Sequence, residues 1–221
     1  MTVGVLALQG AFSEHLRMLQ RCGVDAVEVR TVAHLDGVEG LILPGGESTT
    51  VGKLLCRGGL DEAIRQRVAQ GMPLFGTCMG LILMAREIEG SDQFRLGLMD
   101  IAVRRNAFGR QVDSFECDLP VPSLGMPPVR AVFICAPYVT RVENGVQVLA
   151  SVQGQTVLVR QGHLLGAAFH PELTEDTRIH RLFLDMVADS KSLSEKHGSG
   201  PECPSNRASS PHGCGTPSFS G

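Results

Sequence analysis

The sequence predicts an α/β fold, a mostly parallel sheet with helices on both faces and antiparallel strands added at its edge. Three observations carry this. The first half of the chain alternates short apolar or β-branched runs with segments of helical spacing, the pattern of successive βα units. Its opening run, residues 3–8, is apolar almost without a break, as a strand buried on both faces must be. Beyond Leu98 the texture changes to closely spaced strands joined by short turns, several of which extend the sheet as antiparallel edge strands.

The elements follow in order. Phe12, Leu16, Leu19 and Gln20 keep helical spacing until Gly23 supplies a stop. Residues 25–29 alternate as a second strand, and 40–43 form a third that ends at the breaker Pro44-Gly45-Gly46. Helical patterns at 49–57 and 60–70 each end at a glycine, Gly58 and Gly71. Residues 73–76 are a short apolar strand and 81–87 a further helix. Strands are expected at 100–104, 111–118, 129–134, 146–152, 156–160 and 164–169. An amphipathic helix at 177–188 closes the domain, with Ile179, Leu182, Phe183 and Met186 on one face. From residue 190 to 221 the composition is Ser, Gly, Pro, Lys, His and Asn without apolar periodicity, so a domain at 1–189 and a disordered tail are expected.

Bulk composition excludes several classes. A chain of 221 residues suits one compact domain with appendages. Its 43% hydrophobic and 19% charged residues are ordinary for a soluble globular protein. A formal charge of −3 gives no global attraction to nucleic acid or to an anionic membrane surface. No apolar run approaches the roughly 20 residues of a spanning helix, and the first residues carry no basic leader, so no export signal is expected. The seven cysteines are odd in number, scattered and without a CxxC pair. That argues against a disulfide framework and a zinc site, and for a reducing cytoplasm.

The sharpest local signal is Gly76-Thr77-Cys78-Met79-Gly80, a G-x-C-x-G sequence between a strand and a helix. It is the cysteine form of the nucleophile elbow, whose sharp turn pushes the reactive side chain out of the sheet. The other six cysteines read as small buried hydrophobes. A cysteine nucleophile needs a base, and His170 in Phe169-His170-Pro171-Glu172 is the best candidate. Pro171 holds the residue before it extended. Residues two apart then point the same way, so Glu172 can reach the imidazole and orient it. The alternative is a surface histidine beside a helix-capping glutamate. His15, His34, His163, His180, His197 and His212 lack a comparable setting. In the third motif, Leu43-Pro44-Gly45-Gly46-Glu47-Ser48, backbone N–H groups near Gly46 can meet a developing oxyanion together with that of Met79. A phosphate loop or a plain turn is the alternative, although the P-loop spacing is missing. Residues 104–111, RRNAFGRQ, either hold a carboxylate through arginine or form a solvated turn.

PGGES, GTCMG and HPE in this order resemble the class I, triad-type glutamine amidotransferases. The similarity is closest to the glutaminase subunits of pyridoxal phosphate synthase, carried by GVLALQG at 4–10, residues 43–50, GTCMG at 76–80, RNAFGRQVDSFE at 105–116 and FHPELTED at 169–176. The resemblance implies a flavodoxin-like, three-layer α/β fold and hydrolysis of L-glutamine to glutamate and ammonia without cofactor or metal. It implies Cys78 as nucleophile, His170 as acid/base and Glu172 as its orienter. Gly46, Glu47, Ser48, Arg105, Ile134 and Cys135 would contact glutamine. The partner it implies is a barrel-type synthase subunit in a hetero-oligomeric complex. The chain departs from the family where F-I-R-A-P reads Phe133-Ile134-Cys135-Ala136-Pro137, and where Met79 replaces the commoner alanine. Rival readings are a glutaminase of another synthase, a cysteine hydrolase or deglycase on the same fold, and a scaffold without activity.

Overall fold

A computed structural model describes residues 1–105, 114–143 and 145–198, with side chains as far as residue 192. The chain begins β1 (Thr2–Leu6), α1 (Phe12–Arg21), β2 (Asp25–Val29), β3 (Gly40–Leu43), α2 (Ser48–Gly58), α3 (Leu60–Ala69), β4 (Leu74–Thr77), α4 (Met79–Met84) and β5 (Ala85–Ile88). It continues β6 (Met99–Arg104), β7 (Ser114–Leu119), β8 (Val129–Ile134), β9 (Tyr138–Val142), β10 (Gln147–Val152), β11 (Gln155–Gln161), β12 (Leu164–Ala167) and α5 (Arg178–Gly198).

Ten of these strands make one sheet in the order β2-β1-β3-β4-β12-β11-β9-β6-β5, with β10 paired to β11. From β2 to β12 every pairing is parallel, and this order is that of a flavodoxin-like doubly wound sheet. The strand β11 turns the pairing antiparallel against β12, β10 and β9, and β6 continues antiparallel to β9. Because side chains alternate along a strand, Phe75 and Thr77 face one side of β4 and Gly76 the other. On the first side Phe75 meets His15 of α1 and His180 and Phe183 of α5. On the second, α4 lies so close that a methyl group on Gly76 would fall 2.6 Å from the Gly80 backbone. The strands β1, β3, β4 and β12 are buried almost throughout, which is why their sequences read as apolar runs.

The elements depart from expectation at four places. Residues 81–87 do not form one helix: α4 ends at Met84 and Ala85–Ile88 pairs with β6 as a strand. Leu, Met and Ala favour helix in isolation, but pairing with β6 overrides propensity. The strands β7 and β8 pair with each other as a separate two-stranded ribbon, while β6, β10 and β11 extend the main sheet as expected, and residues 111–113 of the expected strand lie outside the described residues. The strand β9 was not expected, although it joins β11 to β6. Finally, α5 continues past Ala188 to Gly198. Near the start of this extension Lys191 lies 2.7 Å from Glu39 of the segment before β3, and the Ser192 hydroxyl donates to the Asp189 carbonyl within the helix. Residues 199–221 of the expected tail lie outside the described residues. Among the described residues no helix is long and apolar enough to cross a membrane.

Candidate active site

The carboxyl ends of β3, β4 and β12 meet at one place, where ligands of doubly wound sheets collect. At the end of β4 the chain reverses sharply at Cys78, whose φ of 46° and ψ of −100° lie outside the usual regions for a residue with a side chain. Two tethers hold this strained turn: the Cys78 N–H donates to the Ala167 carbonyl at 2.8 Å, and Ile82 N–H donates back to the Cys78 carbonyl at 3.3 Å. Gly80 lets the turn form, because a methyl group there would overlap the Leu43 carbonyl. The sulfur is left 3.8 Å from the carbonyl oxygen of Ile134.

His170 follows the end of β12, with its backbone N–H donating to the Val132 carbonyl of β8. Its Nδ1 is 2.7 Å from Oε1 of Glu172. Both residues are buried, at 7% and 5% exposure. Burial works against a charge on His170, yet hydrogen bonding to Cys78 and Glu172 outweighs it and raises the imidazole to about 10. Burial likewise opposes a charge on Glu172, but the imidazoles of His15 and His170 hold its carboxyl below the usual range. The thiol, imidazole and carboxylate expected to act together lie at one place, Cys78 and His170 on one cavity and Glu172 in contact with His170. Such a set can attack an acyl carbon and move a proton to the leaving group.

A cavity of about 330 Å³ opens over Cys78. Gly46, Glu47, Ser48, Met79, Arg105, Ile134, Cys135 and His170 all line it, so every expected cavity residue is present and Glu172 stands behind His170. Cys135 adopts φ 43°. Of the three non-glycine residues with positive φ among those described, Cys78, Cys135 and Gln153, two line this cavity, so backbone strain is concentrated there. Glu47 caps α2, accepting from the Thr49 and Thr50 N–H groups, and a bond from the Thr50 hydroxyl, followed by these two, lowers its carboxyl to about 2. Residues 106–113 of the arginine-bearing segment lie outside the described residues.

Sequence reasoning missed the residues that brace this site. The Gln9 side-chain oxygen accepts the Glu47 N–H at 2.8 Å. Gln93 bridges Ser48 Oγ and the Arg105 guanidinium. His15 and His180, left without a role on sequence, are fully buried, His15 beside Glu172 and His180 beside His15. Only GVLALQG, already noted for resemblance, carried a signal for Gln9; the others are joined by tertiary packing alone. The bland reading does hold for His34 and His163, which contact Arg30 N–H and the Val68 carbonyl.

The model of the SNO glutamine amidotransferase family matches residues 5–189. The chain belongs to this family. Among curated relatives, the pyridoxal 5'-phosphate synthase subunit PdxT of Carboxydothermus hydrogenoformans is 56% identical over 187 residues, covering 85% of this chain and 98% of the relative. The subunit of the same name from Herpetosiphon aurantiacus is 60% identical over 190 residues, covering 84% of this chain and all of the relative. A crystal structure of a glutamine amidotransferase superposes with a TM-score of 0.81 at 54% identity, covering 84% of this chain and 98% of that one. A putative GMP synthase subunit from Thermoplasma acidophilum shares the fold, with a TM-score of 0.64 at 19% identity, covering 88% of this chain and 98% of that one. This amidotransferase thus spans nearly the whole length of its relatives, and its strained cysteine, buried histidine and carboxylate all fall within the matched region.

Proposed function

We propose that the chain is the glutaminase subunit of a pyridoxal 5'-phosphate synthase, hydrolysing L-glutamine and passing ammonia to a barrel-type synthase subunit in a hetero-oligomeric complex. The observation that carries the reading is the convergence of Cys78 on its strained turn and the His170–Glu172 pair on one cavity that also holds Arg105. Identities of 54–60% to PdxT subunits over most of the chain support the choice of synthase.

The reaction begins with Cys78 as thiolate and His170 as imidazolium, the state that the raised His170 favours. The sulfur attacks the side-chain carboxamide carbon of glutamine. Negative charge moves to the carbonyl oxygen, where backbone N–H groups near Gly46 and Met79 stabilise it. His170 gives its Nε2 proton to the departing nitrogen, the C–N bond breaks, and ammonia leaves a glutamyl thioester on Cys78. Water then loses a proton to the neutral His170 and attacks the thioester carbon. Glutamate departs, and thiolate and imidazolium are restored. Glu172 keeps the ring oriented and stabilises its charged form. Arg105 suits the α-carboxylate of glutamine, and Ile134 and Cys135 line the cavity wall. Neither half-reaction requires a metal or an organic cofactor.

Acid quenching during turnover tests the mechanism. The Cys78 peptide should carry the mass of a glutamyl group, and a Cys78→Ala protein that still releases glutamate would contradict it.

A further inference from the structure

Behind Glu172 lies a second set of buried polar groups that the reaction above does not use. His15 on α1 and His180 on α5 have no solvent exposure, and a buried imidazole is costly unless its nitrogens find partners. His15 Nδ1 is 3.0 Å from His180 Nε2, and His15 Nε2 is 3.1 Å from Thr77 Oγ1. The same Nε2 stands 3.4 Å from Oε2 of Glu172. Among the described residues that oxygen has no hydrogen-bond partner, and neither does His180 Nδ1. The Phe75 ring meets both imidazoles edge to face, at 86° and 83°, and fixes their planes.

These contacts select one proton arrangement. A bare His15 Nε2 could accept the Thr77 hydroxyl at 3.1 Å but would also turn its lone pair toward the Glu172 carboxylate 3.4 Å away, which is repulsive. A proton on Nε2 faces both oxygens favourably, so Nε2 carries it. His15 Nδ1 is then an acceptor, and His180 Nε2–H donates to it. The group left over is His180 Nδ1 as a bare acceptor, the less costly orphan, since unpaired buried N–H groups are rarer than unpaired acceptors.

We propose that His15, held in its Nε2–H form by His180, is a positioning residue that secures the second oxygen of Glu172 and so keeps the carboxylate aimed at His170. This rests on the triad reading given above. His15 faces Glu14 on its own helix, Glu172 and His170 from the segment after β12, and His180 from α5. Burial lowers both His15 and His180 below the ordinary imidazole range, which agrees with two neutral rings. Losing the His15 donor loosens Glu172, weakens the imidazolium of His170 and so disfavours the thiolate beside it.

The test is the pH dependence of Cys78 alkylation by iodoacetamide, followed on the Cys78 peptide by mass spectrometry in the full-length protein. It needs neither glutamine nor a synthase subunit. Two isosteres separate the two ring nitrogens: the amide of His15→Gln reaches the Nε2 position and can still donate to Glu172, whereas His15→Asn reaches only the Nδ1 position. Glu172→Gln serves as reference. The expected result is an alkylation onset moved upward by about one pH unit, a tenfold loss of stabilisation, in Glu172→Gln and His15→Asn, with His15→Gln close to wild type. A merely structural role would lower the melting temperature of both His15 variants alike and leave the onset in place. If Glu172→Gln moves the onset and His15→Asn does not, or if both His15 variants move it equally, the positioning role is overturned while the triad stands. If Glu172→Gln itself has no effect, the triad reading fails, and this inference with it.

Discussion

A methyl group added to Gly45 would overlap Cε1 of His170, so the imidazole occupies space that only a glycine leaves open. Gly45→Ala should therefore fold but push the ring off its line to Cys78, lowering kcat about 100-fold, as misplacement by an ångström can. Circular dichroism with glutamate release separates the two effects. The charge state of the same ring gives a second prediction. Cys78 and Glu172 raise His170 from 6.5 to about 10, so the stabilisation is fully present below pH 6.5 and lost as pH rises through about 10. Removing the thiol in Cys78→Ala takes away one raising contact. The His170 NMR titration midpoint should fall, and the denaturation midpoint should decline less between those pH values than in wild type. An unchanged midpoint would mean that the thiol does not hold the proton on His170.

Elements were legible where local chemistry forces local sequence. The limits of β3 and β8 agree with the expected strands, because an apolar run bounded by Pro44-Gly45 or by Pro128 leaves little choice. Cys78, His170 and Glu172 were legible for the same reason: a sharp elbow needs Gly-x-Cys-x-Gly, and an imidazole–carboxylate pair needs only two residues of extended chain. Helix propensity misled at residues 81–87, where a sheet partner decides the conformation. His15 and His180, 165 residues apart, meet only through packing, so no window of sequence contains the signal. The fit between α4 and β3 is itself testable. Gly80→Ala would drive a methyl group into the Leu43 carbonyl, and overpacking of this kind costs about 1–3 kcal/mol. Chemical denaturation should show that loss, and a variant as stable as wild type would mean that α4 can shift without cost.

The whole molecule places its reactive groups at the carboxyl ends of three parallel strands, and the antiparallel extension and the β7–β8 ribbon bring Arg105, Ile134 and Cys135 to the same cavity. Strain at Cys78 and Cys135 is supported by a continuous buried core that runs from Val3 to Val187. Ammonia set free in water is protonated and lost, so a site of this kind serves biosynthesis only when a second subunit receives the product. The most direct measurement is glutamate release from L-glutamine by wild type and Cys78→Ala, each with and without a pyridoxal 5'-phosphate synthase subunit. Release that depends on Cys78 and rises sharply with the synthase subunit is the predicted result. Release that persists without Cys78, or none even when the synthase subunit is bound, would contradict the account.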